Sequence, residues 1–155
     1  MRNLQLVVDN KQTNTRAVQA GEARSSSYTI NREKRLVAVC FGQKLTVEDI
    51  QGYAEALRRD PAFDAKFSEL VDLTRVEEVT VDAGEAIELA DRIDPFSPES
   101  KRAFVTLRPA LFRAVRMHQI LRSPAENIAI FESVAEAEQW LAPPKSSQAS
   151  AGQVS

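Results

Sequence analysis

Residues 101–141 constrain the fold more tightly than any other stretch of this chain: KRAFVTLRPALFRAVRMHQILRSPAENIAIFESVAEAEQWL. Two short apolar runs, Ala103 to Leu107 and Asn127 to Phe131, have the length and composition of strands. Between them Leu111, Phe112, Val115 and Leu121 can share one face of a helix. Pro109 suits a helix start, where its missing N–H leaves no bond unmade. Ser123-Pro124 ends that helix, and Ser133-Val-Ala-Glu136 opens another as a capping box. Strands separated by a helix point to parallel pairing, because a parallel pair needs a long crossover. A chain carrying this unit is therefore expected to be α/β.

Upstream residues extend the pattern. Ser27 to Asn31 alternates as a half-exposed strand, and Asn31-Arg-Glu-Lys34 is a polar turn. Leu36 to Phe41 (LVAVCF) is apolar enough for a central strand covered on both faces. Thr46 caps a helix with Val47, Ile50, Tyr53 and Leu57 on one face, and Asp60-Pro61 stops it. Phe67 to Leu73 is the next strand. Thr80 is expected to cap a second helix with Ile87, Leu89 and Ile93 inward, ending at Asp94-Pro95. The order is β-β-α-β-α-β-α-β-α: a five-stranded, mostly parallel mixed sheet with about four helices.

The 155 residues suit one domain. Residues 1–26 read as a flexible leader with room for a short edge strand at 4–8. Residues 27–141 form the domain, and 142–155, rich in Pro, Ser, Ala and Gly, form a disordered tail. A net charge of −2 gives no bulk attraction to nucleic acid or anionic membrane, and neither is expected as a partner. One cysteine excludes an internal disulfide, and one histidine disfavours a histidine-based metal site. No apolar run approaches the roughly 20 residues needed to span a bilayer. The N-terminus lacks the layout of a signal peptide, so a cytoplasmic location is expected.

These elements, from about Tyr28 to Leu141, resemble the STAS superfamily and, within it, the bacterial SpoIIAA-like proteins. The resemblance rests on LVAVCFGQKLT, ELVDLTRVEEVT, LFRAVRM and NIAIFESVAEAEQWL in that order. It implies a STAS-like sandwich and a non-enzymatic role in protein interaction or small-ligand sensing. Better-known members of the superfamily switch through a serine at the start of the helix after the third strand. Here that stretch is Thr80-Val-Asp-Ala-Gly84, with Ala83 where the serine would stand. Thr80 is an alternative phosphate acceptor, although helix capping is its simpler role.

Six basic residues (Lys101, Arg102, Arg108, Arg113, Arg116, Arg122) precede the first acid, Glu126, in the 101–141 stretch. Arg113 and Arg116 share a helical face and Arg108 lies just before that helix, so Arg108, Arg113 and Arg116 form a candidate face for an anion or an acidic partner. The plain alternative is a solvated surface paired with Glu132, Glu136 or Glu138. Between 46 and 94 fourteen acids oppose five basics. Copies of such a polar chain could pair, and a homodimer is one outcome open to it. Cys40 reads as a structural thiol, with His118 the only histidine. Asp72, Asp82 and Glu85 offer a weak cation set without metal-site spacing. Trp140 reads as a core plug.

The leading expectation is a non-catalytic bacterial regulatory or interaction module with a protein partner and no cofactor. The alternative is a carrier or sensor for an apolar or anionic small molecule. An enzyme is disfavoured, because no nucleophile–base pair, metal set or phosphate-binding loop can be assembled.

Overall fold

The structure, a computed structural model, describes residues 13–18, 26–108, 113, 116 and 125–143. Among these residues a six-stranded sheet has the order β1-β2-β3-β5-β7-β8. Its strands are β1 (Thr13–Val18), β2 (Ser26–Asn31), β3 (Leu36–Phe41), β5 (Ser68–Asp72), β7 (Arg102–Val105) and β8 (Ile128–Phe131). Two short strands, β4 (Lys44–Leu45) and β6 (Glu78–Val79), pair in parallel beside it. The helices are α1 (Val47–Arg59), α2 (Ala83–Glu88), which continues as a π-helical turn over Leu89–Ile93, and α3 (Val134–Leu141). β1, β2 and β3 are antiparallel, and β3, β5, β7 and β8 run parallel. The five expected strands all form, in the expected order.

The sixth strand lies within residues 1–26, the segment read as a flexible leader. Thr13–Val18 pairs along its whole length with β2, from Thr13 opposite Asn31 to Val18 opposite Ser26. TNTRAV has threonine and valine, which suit a pleated surface, but it lacks an apolar alternation. An edge strand needs only one neighbour, so backbone pairing supplies what the pattern does not show. The edge strand proposed at 4–8, most of the helix expected over 109–121, and residues 144–155 of the tail lie outside the described residues.

The pleat divides the sheet into two faces. Val37, Val39 and Phe41 from β3, Val71 from β5 and Phe104 from β7 meet Tyr53 and Leu57 of α1 in the larger core. Leu70, Ala103 and Val105 face the other way and pack with Ala137 of α3, flanked by Leu36, Phe131 and Trp140. Trp140 therefore plugs the smaller core, with its ring 5.6 Å from that of Phe131. β3 is covered on both sides, although Leu36, Ala38 and Cys40 are only half-buried.

Helix α1 begins at Thr46 with a reciprocal capping box. Asp49 N–H donates to Thr46 Oγ1 at 3.1 Å, and Thr46 N–H donates to Asp49 Oδ2 at 3.0 Å. For α2 the cap is Asp82 rather than Thr80. Glu85 N–H donates to Asp82 Oδ1 at 2.8 Å, and Asp82 N–H donates to Glu85 Oε1 at 2.9 Å. Thr80 is occupied by the small sheet instead, its N–H donating to Leu45 O at 3.0 Å. Ser133 caps α3 by accepting from Glu136 N–H at 3.1 Å.

Candidate functional site

The parallel strands β5 and β7 place charge at two levels. At their starting ends Glu69 of β5 stands directly opposite Arg102 of β7. Both side chains point into the α1 side of the sheet, where Glu69 is 2% exposed and Arg102 5%. Arg102 Nε donates to Glu69 Oε1 at 2.7 Å, and its Nη2 lies 2.6 Å from the same oxygen. Arg102 Nη1 reaches Asp94 Oδ2 at 2.6 Å, just past the π-helical turn. Tyr53 of α1 donates its hydroxyl to Glu69 Oε2 at 2.7 Å. The ring of Phe96 lies 4.6 Å from the Arg102 guanidinium.

One guanidinium thus serves two carboxylates in a dry interior. Burial pushes the Glu69 carboxyl up, Arg102 pulls it down and Asp94 pushes it up again; the net direction is upward. Burial alone would lower the basicity of Arg102, but Glu69 and Asp94 outweigh it and raise it. The Tyr53 phenol is held well above its ordinary range by burial and by the adjoining Glu69. The cluster clamps α1, the turn after α2, β5 and β7 together. Sequence reasoning counted Arg102 with the surface basics and missed this network. The one available signal was a charged residue at or near the start of each of two strands with apolar centres.

At the opposite ends of the strands β7 continues through Thr106 to Leu107 and Arg108. Thr106 is buried, and its Oγ1 accepts the Arg108 N–H at 3.1 Å. That bond turns the chain outward, leaving Leu107 67% exposed and Arg108 exposed beside it. Arg113 and Arg116 are helical and exposed. The candidate residues Arg108, Arg113 and Arg116 are therefore surface cations that follow the end of a central parallel strand, the position where open α/β sheets hold ligands. Leu107, directly before Arg108, adds an exposed large apolar side chain that a purely solvated face does not need.

The other candidates are occupied locally. Asp72 Oδ1 accepts from the Thr74 N–H at 2.9 Å and the Thr74 hydroxyl at 2.6 Å. Asp82 and Glu85 serve each other in the cap of α2. Among the described residues no group of three or more His, Cys, Asp or Glu is placed to hold a metal ion. Cys40 is half-buried, with Sγ 3.8 Å from the Phe41 carbonyl oxygen; His118 lies outside the described residues. Thr80 is exposed two residues before the Asp82 cap, its Oγ1 3.5 Å from Leu45 O. No helix among the described residues is long and apolar enough to cross a membrane.

No family model matches the sequence, and no curated protein matches it. A solved structure from Shewanella loihica PV-4, described as an uncharacterized protein from the DUF3478 family with a SpoIIAA-like fold, is similar to this chain. The two are 16% identical, the match covers 88% of this chain and 99% of the other, and the TM-score is 0.49.

Proposed function

We propose that this chain is a non-catalytic regulatory or protein-interaction module whose contact face is the rim formed by Leu107, Arg108, Arg113 and Arg116. The observation that carries this reading is Leu107, a large apolar side chain 67% exposed and directly followed by an exposed arginine. Apolar anchors ringed by cations suit an acidic protein surface with an apolar centre. The buried Arg102 cluster favours the same reading, because it holds β5, β7 and α1 rigidly and so presents the rim at low entropic cost. The space between α1 and the sheet is filled by rings, with Tyr53 5.9 Å from Tyr28 and 5.7 Å from Phe41, which favours a module over a carrier on that side.

The test is quantitative co-purification of the native protein beside Leu107→Ser and Arg113→Glu/Arg116→Glu, with native mass spectrometry of each. The reading expects a stoichiometric protein partner that both variants lose while each still unfolds cooperatively as a folded protein. Partners retained by both variants, or a stoichiometric small molecule in the purified wild type, would count against it.

A further inference from the structure

We propose that the opposite rim of the sheet, where β3 and β5 begin, is a second docking face and that it takes an acidic protein segment. The tight turn from β2 to β3 and the loop entering β5 bring four exposed cations together: Arg32, Lys34, Arg35 and Lys66. The turn is built by its own backbone. Arg35 N–H donates to Arg32 O at 3.2 Å, and Lys34 N–H donates to Asn31 Oδ1 at 2.9 Å. Arg35 O then accepts the Ser68 N–H at 2.9 Å, which fastens the turn to the start of β5. The Arg35 guanidinium lies 5.3 Å from the centre of the Phe67 ring, and Lys66 is the residue before that ring.

Arg35 has φ 55°, in the left-handed region where glycine or asparagine is the low-cost choice. It is the one non-glycine residue with positive φ among the described residues. A chain that keeps a long cationic side chain at a strained position gains something from that side chain, and strain of this kind gathers at ligand-binding sites. The stacked guanidinium keeps its planar fork available for carboxylates. Glu33 and Asp64, also exposed, stand in the same two loops. A uniform polyphosphate would be repelled by them, whereas a polypeptide can match a mixed rim, so an acidic protein segment fits better than nucleic acid or lipid headgroups.

The inference shares the interaction reading above but uses other residues, so the two can fail separately. Fluorescence anisotropy would compare a labelled, net-acidic peptide of glutamates and serines with interspersed lysines against a labelled thymidine oligonucleotide, and vesicles containing phosphatidylserine would be tested by co-sedimentation. The full chain is expected to bind the peptide, more weakly as salt rises, and to prefer it to both other probes. Arg35→Gly/Lys66→Ala should weaken binding by about tenfold or more. Arg35→Gly alone should leave the thermal midpoint unchanged or raised, since it relieves the backbone, and Arg113→Glu/Arg116→Glu should leave peptide binding unchanged. Absent peptide binding, tighter binding of the oligonucleotide or vesicles, or an Arg35→Gly/Lys66→Ala variant with wild-type affinity would each overturn the proposal. A lowered midpoint for Arg35→Gly would do the same, by showing that the arginine is kept for its packing on Phe67.

Discussion

Glu69 and Arg102 face each other across neighbouring parallel strands, and their side chains meet at 2.6 Å where neither is more than one-twentieth exposed. A pair so placed adds little net stability over an apolar pair of the same shape, because removing two charges from water offsets most of their attraction. Its effect is on arrangement. Glu69 can accept from Tyr53, and Arg102 can reach Asp94, only when α1 and the turn after α2 are seated on the sheet in one way.

Truncating the cation should therefore cost more than removing the whole cluster. Arg102→Met leaves Glu69 and Asp94 buried without their counter-charge and should lose about 3–5 kcal/mol in urea denaturation. Adding Glu69→Leu and Asp94→Asn to that variant should recover a large part of the loss. A triple variant less stable than the single one would show that the charges contribute stability in their own right.

Tyr53→Phe removes one donor from a buried carboxylate while keeping the ring that packs on Tyr28 and Phe41. The expected loss is about 1.5–3 kcal/mol, the range for hydrogen bonds to charged groups. The chain has two tyrosines, so ultraviolet absorbance can follow the phenol directly. Because burial and Glu69 hold it up, Tyr53 should ionise only as the protein unfolds in alkali, and the absorbance step at unfolding should lose one phenol's amplitude in Tyr53→Phe, the rest coming from the buried Tyr28. Ordinary titration of Tyr53 in the folded protein would contradict the buried geometry.

Glu69 also predicts a pH dependence of definite sign. Its carboxyl titrates higher in the folded protein than its ordinary value of 4.5, so the folded state holds more protons than the unfolded state above that pH. The associated stability is fully present below pH 4.5 and is lost as pH rises through the folded value. Glu69→Gln cannot ionise and lacks this decline. Urea midpoints between about pH 4.5 and 8 should show the wild type losing ground to Glu69→Gln as pH increases, a window set by how far buried glutamates can be raised. A constant difference between the two proteins would refute the assignment.

The parts of this fold that could be read in advance are those written in side-chain periodicity. LVAVCF and NIAIF announced β3 and β8 because an apolar run of that length has few other uses, and Thr46 announced α1 because its cap and its apolar stripe coincide. β1 could not be read, because an edge strand such as Thr13–Val18 is held by backbone bonds that carry no residue signature. The Arg102 cluster was hidden for another reason. A charged residue looks the same in sequence whether water or a carboxylate 33 residues away satisfies it. At the candidate rim the cations were legible, but the exposure of Leu107 was not, since Ala103 to Leu107 reads as one apolar strand and only the Thr106 turn ejects its last member.

The start of α2 offers the sharpest separation between two neighbouring polar residues. Thr80 lies where a helix cap was expected, yet its backbone pairs with Leu45 and its hydroxyl makes at most a long contact there. Asp82 carries both halves of the capping box with Glu85. Asp82→Ala should therefore destabilise by about 0.5–2 kcal/mol, the usual cost of losing a cap, with faster amide exchange concentrated in Ala83 to Ile93. Thr80→Ala, losing only an exposed hydroxyl, should stay within about 0.5 kcal/mol of the wild type. Measured together by urea denaturation and hydrogen exchange, equal losses would return the cap to Thr80. Unequal losses in the stated order would leave the Thr80 hydroxyl free of a folding duty, so that Thr80→Ala could be used to test phosphorylation without disturbing the helix.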